Sequence, residues 1–323
     1  MLVDLHTHCL GSEHKKQNKP LQDFSDTCLN KTKTFAAAFV ADGHGGEKYI
    51  RSAQGSQIAV DCAKKQLIVA LTREFQVLIK AEKLEAIKKT LKNLCSKILT
   101  DWRTETKRHY KENLLSEDEK QKLLELKFTV SDESVYTLYG TTLLIAAYFE
   151  QYDFWFALQI GDGKCVAFRD DAELPTVFYP IEEDERLGFG VTTSLCSNQA
   201  VDDFRCNCGF EKLAGIVVMT DGMADSFETE KLPEFILNIR RNAIENKEVT
   251  KKELENFLPK LSEQGSGDDI SIAAIFAKKK PNINASNEEA KHILKEVKEN
   301  VNSKLENVSK EVEKKLESIC ESR

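Results

Sequence analysis

The sequence predicts a layered α+β sandwich, with strands packed on strands and helices outside. Three observations carry that expectation. Short apolar runs end abruptly at Asp-Gly or Gly-Asp, and long stretches between them place apolar residues every three or four positions. The two kinds of segment do not alternate in the regular way that a doubly wound parallel sheet requires.

The strands come first. Phe35 to Ala41 (FAAAFVA) stops at Asp42-Gly43-His44-Gly45-Gly46, and Gly215 to Thr220 (GIVVMT) stops at Asp221-Gly222. Leu143 to Phe149 is a further apolar run, and Gly265-Ser266-Gly267-Asp268-Asp269 leads into Ile270 to Ala277. Phe154 to Ile160 and Cys165 to Phe168 flank Gly161-Asp162-Gly163-Lys164, which has the chemistry of a hairpin turn. Runs of this length without strict alternation suit strands covered on both faces.

Residues 56 to 111 carry helical spacing (Ile79, Leu84, Ile87, Leu91, Leu94, Ile98, Trp102) and are expected to form two helices. Leu232 to Asn246 reads as another helix, opened by Pro233, and Lys251 to Leu261 as a shorter one. After Lys278-Lys279-Lys280-Pro281 the composition turns to Lys, Glu and Asn, as in a linker. From Ala290 apolar positions cover 29 residues in eight steps, 3.6 residues per step. That is the period of a straight amphipathic helix and not of a left-handed coiled coil. The chain therefore divides into a body over 1–280 and a linker with a C-terminal amphipathic helix over 281–323, which could serve association.

Composition narrows the function. With 46 basic and 53 acidic side chains the net charge is -7, and no basic cluster invites nucleic acid or an anionic membrane. Seven-residue apolar runs are far short of the roughly 20 residues that span a bilayer. The opening MLVDLHTHCLGSEHKK puts acid and histidine where a signal peptide needs positive charge and an apolar stretch, so a cytoplasmic location is expected. Nine cysteines are scattered from Cys9 to Cys320 with no CxxC pair, which points to reduced thiols. Cys206-x-Cys208 alone makes a poor zinc site.

The chemistry resides in aspartates. Asp42, Asp221 and Asp268, or its neighbour Asp269, each stand at the edge of an expected core strand beside glycine. Carboxylates gathered at one place repel one another and call for cations, and oxygen ligands favour Mg²⁺ or Mn²⁺. Two such ions would activate a water and clamp a phosphoryl oxygen.

VADGHGG (Val40 to Gly46), YGTT (Tyr139 to Thr142), GDGK (Gly161 to Lys164), VMTDGMAD (Val218 to Asp225) and GSGDDIS (Gly265 to Ser271) occur in one order. Together they resemble the metal-dependent protein phosphatases of the type 2C superfamily, in particular its bacterial-type branch, over roughly residues 5 to 278. Gln22-Asp23 in KPLQDFSD resembles the family's acidic pair. The resemblance implies a four-layer αββα sandwich with two central, mainly antiparallel sheets. It implies Mn²⁺- or Mg²⁺-dependent hydrolysis of phosphoserine and phosphothreonine in protein substrates, by direct attack of a metal-activated water. Asp42 would then bridge two metals and Gly43 would offer its carbonyl to one of them. Asp221 and Asp268 would complete the second, Asp23 would hold a metal through water, and Asp162 would help hold a third ion. His44 resembles the proton donor to the leaving group, kept protonated by its anionic neighbours. The sequence departs from the family at three places. Asp269 stands where the family has Asn, which leaves Asp268 and Asp269 as alternative ligands. Gln22 replaces the commoner Glu, and no Arg precedes Asp23, so His14 or Lys19 would have to meet the substrate phosphate.

Two rival expectations accompany this one. Asp4-x-His6-x-His8 is the kind of first-strand motif seen in PHP-type metallo-phosphoesterases, with all three on one side of a strand, although no later histidine cluster completes such a site. The loss of the arginine also suits a catalytically weak pseudophosphatase that acts as a binding module, or a small-molecule phosphatase on the same fold.

Overall fold

A computed structural model of the chain describes residues 1–170, 175–182, 184 and 192–278. The expected linker and amphipathic helix of 281–323 lie outside the described residues. The described residues form two five-stranded sheets, in the strand orders β1-β10-β9-β6-β7 and β2-β3-β4-β5-β8, and every adjacent pair is antiparallel. The first sheet holds β1 (Leu2–Cys9), β10 (Ile270–Ala277), β9 (Leu213–Met219), β6 (Lys164–Arg169) and β7 (Thr176–Phe178). The second holds β2 (Phe24–Leu29), β3 (Phe35–Ala41), β4 (Leu143–Phe149), β5 (Phe154–Ile160) and β8 (Arg205–Phe210).

Each strand's alternation assigns its residues to a layer. Ala36, Ala38, Val40 and Leu144 of one sheet meet Ala167, Ile216, Val218 and Ile275 of the other in a core between the sheets. On the outer face of the second sheet, Ala37, Phe39, Ile145 and Phe156 pack under α2 (Ser52–Ala70), α3 (Arg73–Lys80) and α4 (Leu84–Glu112). On the outer face of the first, Leu5, Val217, Ala274 and Phe276 pack under α8 (Leu232–Gln264). The central strands are apolar on both faces because both faces are covered. Fully burying one Leu, Ile or Phe side chain contributes about 1.5–3 kcal/mol. Among the described residues no helix is long and apolar enough to cross a membrane, and the eight cysteines there are free thiols.

Three local expectations are corrected. The stretch expected to give two helices gives three, because Leu71-Thr72 ends α2 and Thr72 caps α3 by accepting a hydrogen bond from the Phe75 backbone N–H. The separate helices expected after Pro233 run on as one element, broken at Asn246 (φ -148°, ψ 95°). Gly161-Asp162-Gly163-Lys164 does not close a hairpin, since β5 and β6 belong to different sheets and the turn carries the chain from one to the other. Gly161 adopts φ +110°, and a Cβ there would lie 2.4 Å from Thr142 Cβ, so the crossing admits no side chain.

Asp4, His6 and His8 do share one side of β1, as period 2 requires. They face β2 and form a polar seam at the sandwich edge. Thr27 Oγ1 donates to Asp4 (2.6 Å), and Lys247 donates to the other carboxylate oxygen (2.7 Å). His6 Nδ1 donates to the Ser25 carbonyl (3.1 Å), and His8 Nδ1 lies 3.0 Å from Ser25 Oγ. The carbonyl can only accept, so the His6 proton sits on Nδ1. The three form no metal-holding group among the described residues.

The helical layer meets the site loops at one tight crossing. Trp102, fully buried on α4, donates through Nε1 to the Gly55 carbonyl on α2 (3.0 Å). A Cβ on Gly55 would lie 2.0 Å from the Tyr139 carbonyl oxygen. Helix propensity alone would make Gly55→Ala stabilising by about 1 kcal/mol, but the backbone clash reverses that sign. Gly55→Ala should lower stability by about 2 kcal/mol or more in urea denaturation, and an unchanged or raised midpoint would refute this reading of the crossing.

Candidate active site

One end of the sandwich collects the strand-end aspartates. Asp42 follows β3, and its backbone is clamped by the YGTT segment ahead of β4. Thr141 Oγ1 and the Thr142 N–H both donate to the Asp42 carbonyl (2.8 Å each), while the Asp42 N–H donates to Thr142 Oγ1 (3.0 Å). Gly43 pairs with Thr141 as an isolated bridge, and its N–H donates to the Gln22 carbonyl (3.1 Å). Asp221 opens the short helix α7 (Asp221–Ala224), and its Oδ1 accepts from the Gly222 N–H (2.7 Å). Asp162 stands on the sheet-to-sheet crossing, held by Thr192 Oγ1 (2.6 Å).

Asp42, Asp162 and Asp221 each present a ligand atom within 4.8 Å of the other two. Asp23, only 4% exposed, sits behind them and accepts from Thr220 Oγ1 (2.8 Å), which in turn accepts from the Ser271 N–H (2.9 Å). Burial, then the nearby charge of Asp269, pushes the Asp23 carboxyl well above the usual range. Asp42 is pushed up likewise by burial and by Asp23 and Asp221. Asp221 rises to about 6 through burial and the charge of Asp162. Burial and neighbouring negative charge both oppose ionisation of these carboxyls, a cost that a bound divalent cation would relieve. The donor set is all oxygen, which fits hard divalent ions such as Mn²⁺ and Mg²⁺.

Asp268 and Asp269 precede β10 and face different ways. The Asp269 carboxylate is 2% exposed and accepts from the Gly11 N–H (2.6 Å) and the Gln22 N–H (2.7 Å). It thereby ties the N-terminal segment to β10. The Asp268 side chain is 51% exposed, and its Oδ1 accepts from the Asp269 N–H (2.8 Å). His14, on the one-and-a-half-turn helix α1 (Ser12–Lys16), lies against both, and its pairing with Asp269 raises its pKa against the effect of burial. Lys19 Nζ donates to the Gly45 carbonyl (3.3 Å) in the glycine-rich loop.

His44 departs from expectation. Its ring meets Tyr49 edge-on at 4.8 Å, and its burial lowers the pKa to about 4, outweighing the attraction of Asp162. The imidazole beside Asp42 is neutral at pH 7. Desolvation of the ring wins over the neighbouring carboxylates.

Thr141, Thr142 and Thr220 lie within the YGTT and VMTDGMAD motifs, but their roles, like that of Thr192, were not legible in sequence. Their role is to hold backbones and carboxylates, which leaves no charge or spacing signal. An open groove of about 630 Å³ runs from Asp162 and Asp221 past Lys164, Tyr179 and Asp225.

Comparison with known proteins bears on the family and the fold. The sequence matches the family described as Protein phosphatase 2C over residues 10–259. No curated protein sequence matches. Among solved structures, the S. agalactiae serine/threonine phosphatase is similar with a TM-score of 0.51 at 15% identity, covering 86% of this chain and 100% of that one. PppA of Pseudomonas aeruginosa, a regulatory component of T6SS, has a TM-score of 0.52 at 14% identity, covering 86% and 98%. A bacterial serine phosphatase has a TM-score of 0.54 at 15% identity, covering 87% and 99%. At such identities these likenesses speak to the fold alone, and the match over 10–259 identifies the lineage: the chain belongs to the protein phosphatase 2C family.

Proposed function

We propose that this chain is a Mn²⁺- or Mg²⁺-dependent protein phosphatase that hydrolyses phosphoserine and phosphothreonine. The observation that carries the reading is the convergence of Asp23, Asp42, Asp162 and Asp221 from four separate segments, where burial and neighbouring carboxylates push the carboxyls of Asp23, Asp42 and Asp221 upward. Asp42, the Gly43 carbonyl, Asp221 and Asp268 would hold two ions, with Asp23 acting through water and Asp162 serving a third. When bound, the ions supply an activated water and neutralise charge on the phosphoryl oxygens. The groove past Lys164 and Tyr179 would take the peptide flanking the phosphorylated residue. Lys19, tied to the Gly45 carbonyl beside His44, takes the place of the absent arginine toward the substrate phosphate.

Turnover of a phosphothreonine peptide should require Mn²⁺ or Mg²⁺ and cease with chelator. Asp42→Asn should abolish it, by a factor of about 10³ or more, with the fold intact. Full activity in that variant or in chelator would refute the reading. A protein that binds phosphopeptide and Mn²⁺ but never turns over would instead be the binding module.

Carboxylate crowding makes a separate prediction about stability. A carboxyl whose folded pKa is raised weakens the fold wherever the group must ionise, so the penalty is full above the folded pKa and vanishes below the ordinary carboxyl range. In chelator at pH 8, Asp221→Asn should be more stable than the parent by up to about 2 kcal/mol, the advantage fading as pH falls through about 6 toward 4. Saturating Mn²⁺ should raise the parent's melting temperature by more than it raises the variant's. A variant less stable than the parent at pH 8 in chelator would show that the carboxylates are not in conflict.

A neutral His44 can donate a hydrogen bond to the departing oxygen, and bound cations nearby would disfavour its protonated form further. A seryl or threonyl oxygen needs that donor as it leaves, whereas nitrophenolate does not. His44→Ala should cut kcat on the phosphothreonine peptide by about 10–100-fold and change p-nitrophenyl phosphate turnover far less. Equal losses on both would reduce His44 to a shaper of the glycine-rich loop.

A further inference from the structure

His14 is a second imidazole at this pole, apart from His44. It is 9% exposed, with Nε2 3.9 Å from Asp268 Oδ1 and Nδ1 3.0 Å from Asp269 Oδ1. The Nδ1 contact is out of line for a hydrogen bond, so this buried nitrogen has no hydrogen-bond partner. One ligand atom from each of His14, Asp268 and Asp269 lies within 4.8 Å of the other two, a group separate from Asp42, Asp162 and Asp221.

The two carboxylates are not equivalent. Asp269 is committed on both oxygens to the Gly11 and Gln22 N–H groups and cannot swing away without freeing them. Asp268 is half-exposed at a cleft of about 210 Å³ that His14, Gln17 and Lys19 also line. In carboxylate–histidine–metal triads one imidazole nitrogen meets the ion and the other a fixed carboxylate; here Nε2 faces the half-exposed Asp268 and Nδ1 the fixed Asp269. Two ligands of one ion, each about 2.1 Å from it, stand roughly 3–4 Å apart, and the 3.9 Å between Nε2 and Asp268 falls in that range. A small turn of the ring would also bring Nδ1–H into line with Asp269.

We propose that His14 Nε2 and Asp268 together hold one divalent cation, with Asp269 as the positioning residue that orients the imidazole through Nδ1. This rests on the reading of the pole as a metal site and departs from an oxygen-only ligand set. A nitrogen donor makes this position prefer Mn²⁺, Co²⁺ or Zn²⁺ to Mg²⁺, which seldom takes imidazole in place of oxygen. It also assigns Asp268 as the ligand and Asp269 as its support.

The test is pulsed electron paramagnetic resonance on the untagged full chain loaded with Mn²⁺, together with calorimetric Mn²⁺ and Mg²⁺ titrations. Nitrogen modulation of the manganese signal is expected in the parent, absent in His14→Gln, and retained in Asp42→Asn. His14→Gln should weaken one Mn²⁺ equivalent by at least tenfold and change Mg²⁺ affinity little. Asp269→Asn should weaken the same equivalent about 10–100-fold. No nitrogen modulation in the Mn²⁺-loaded parent, or modulation that survives His14→Gln and disappears in His44→Ala, overturns the proposal. If His14→Gln fails to fold, Asp269→Asn decides: Mn²⁺ affinity and modulation both unchanged would overturn it. Phosphothreonine-peptide turnover in the same samples separates the two readings. Turnover without nitrogen ligation sinks this inference alone, and nitrogen ligation without turnover sinks the phosphatase alone.

Discussion

Mutual repulsion among carboxylates is the constraint to which the rest of this molecule answers. Asp23, Asp42, Asp162 and Asp221 would separate if their chain segments were free to move, since each raises the cost of ionising its neighbours. They are held together by strands whose own position is not negotiable. β3, β4, β5 and β9 are buried on both faces, as is β10 but for its last residue, and they set where the flanking aspartates stand. Packing of the sandwich core thus stabilises a polar arrangement that would not form by itself. Divalent cations are what such an arrangement is suited to receive.

The pins are mostly threonine and backbone. Thr142 and the Asp42 backbone exchange two hydrogen bonds, and Thr220 joins Asp23 to β10. Such groups position a carboxylate without adding charge that would compete with an ion. Where a charged pin is used, at Asp269, it is placed to the side. There it gathers two N–H groups and His14 around a carboxylate that takes the family's asparagine position. A second buried negative charge is tolerable because a proton-bearing ring and two amide donors surround it.

The same accounting explains His44. A ring pressed between Tyr49 and the Gly140 backbone loses more by desolvation than it gains from carboxylates on its far side. Proximity to acid in the sequence therefore misleads about protonation. Burial is a property of the packed loop.

What the sequence determined by itself was the set of doubly covered strands and the aspartate-bearing turns at their ends. A strand buried on both faces must be apolar at every position, and its abrupt end at Asp-Gly survives any context. For the same reason Asp42 and Asp221 could be picked out without a structure, as could the Asp268-Asp269 pair that leads into β10. The half-polar strands β2 (FSDTCL) and β8 (RCNCGF) could not, because one covered face yields too weak a pattern over six residues. Only the tertiary structure decided that Gly161 to Lys164 crosses between sheets, since a turn's residues define its local geometry and not which sheet the next strand joins. Only it separated Asp268 from Asp269, adjacent and chemically identical, through the two amide donors that lie 247 and 258 positions away along the chain.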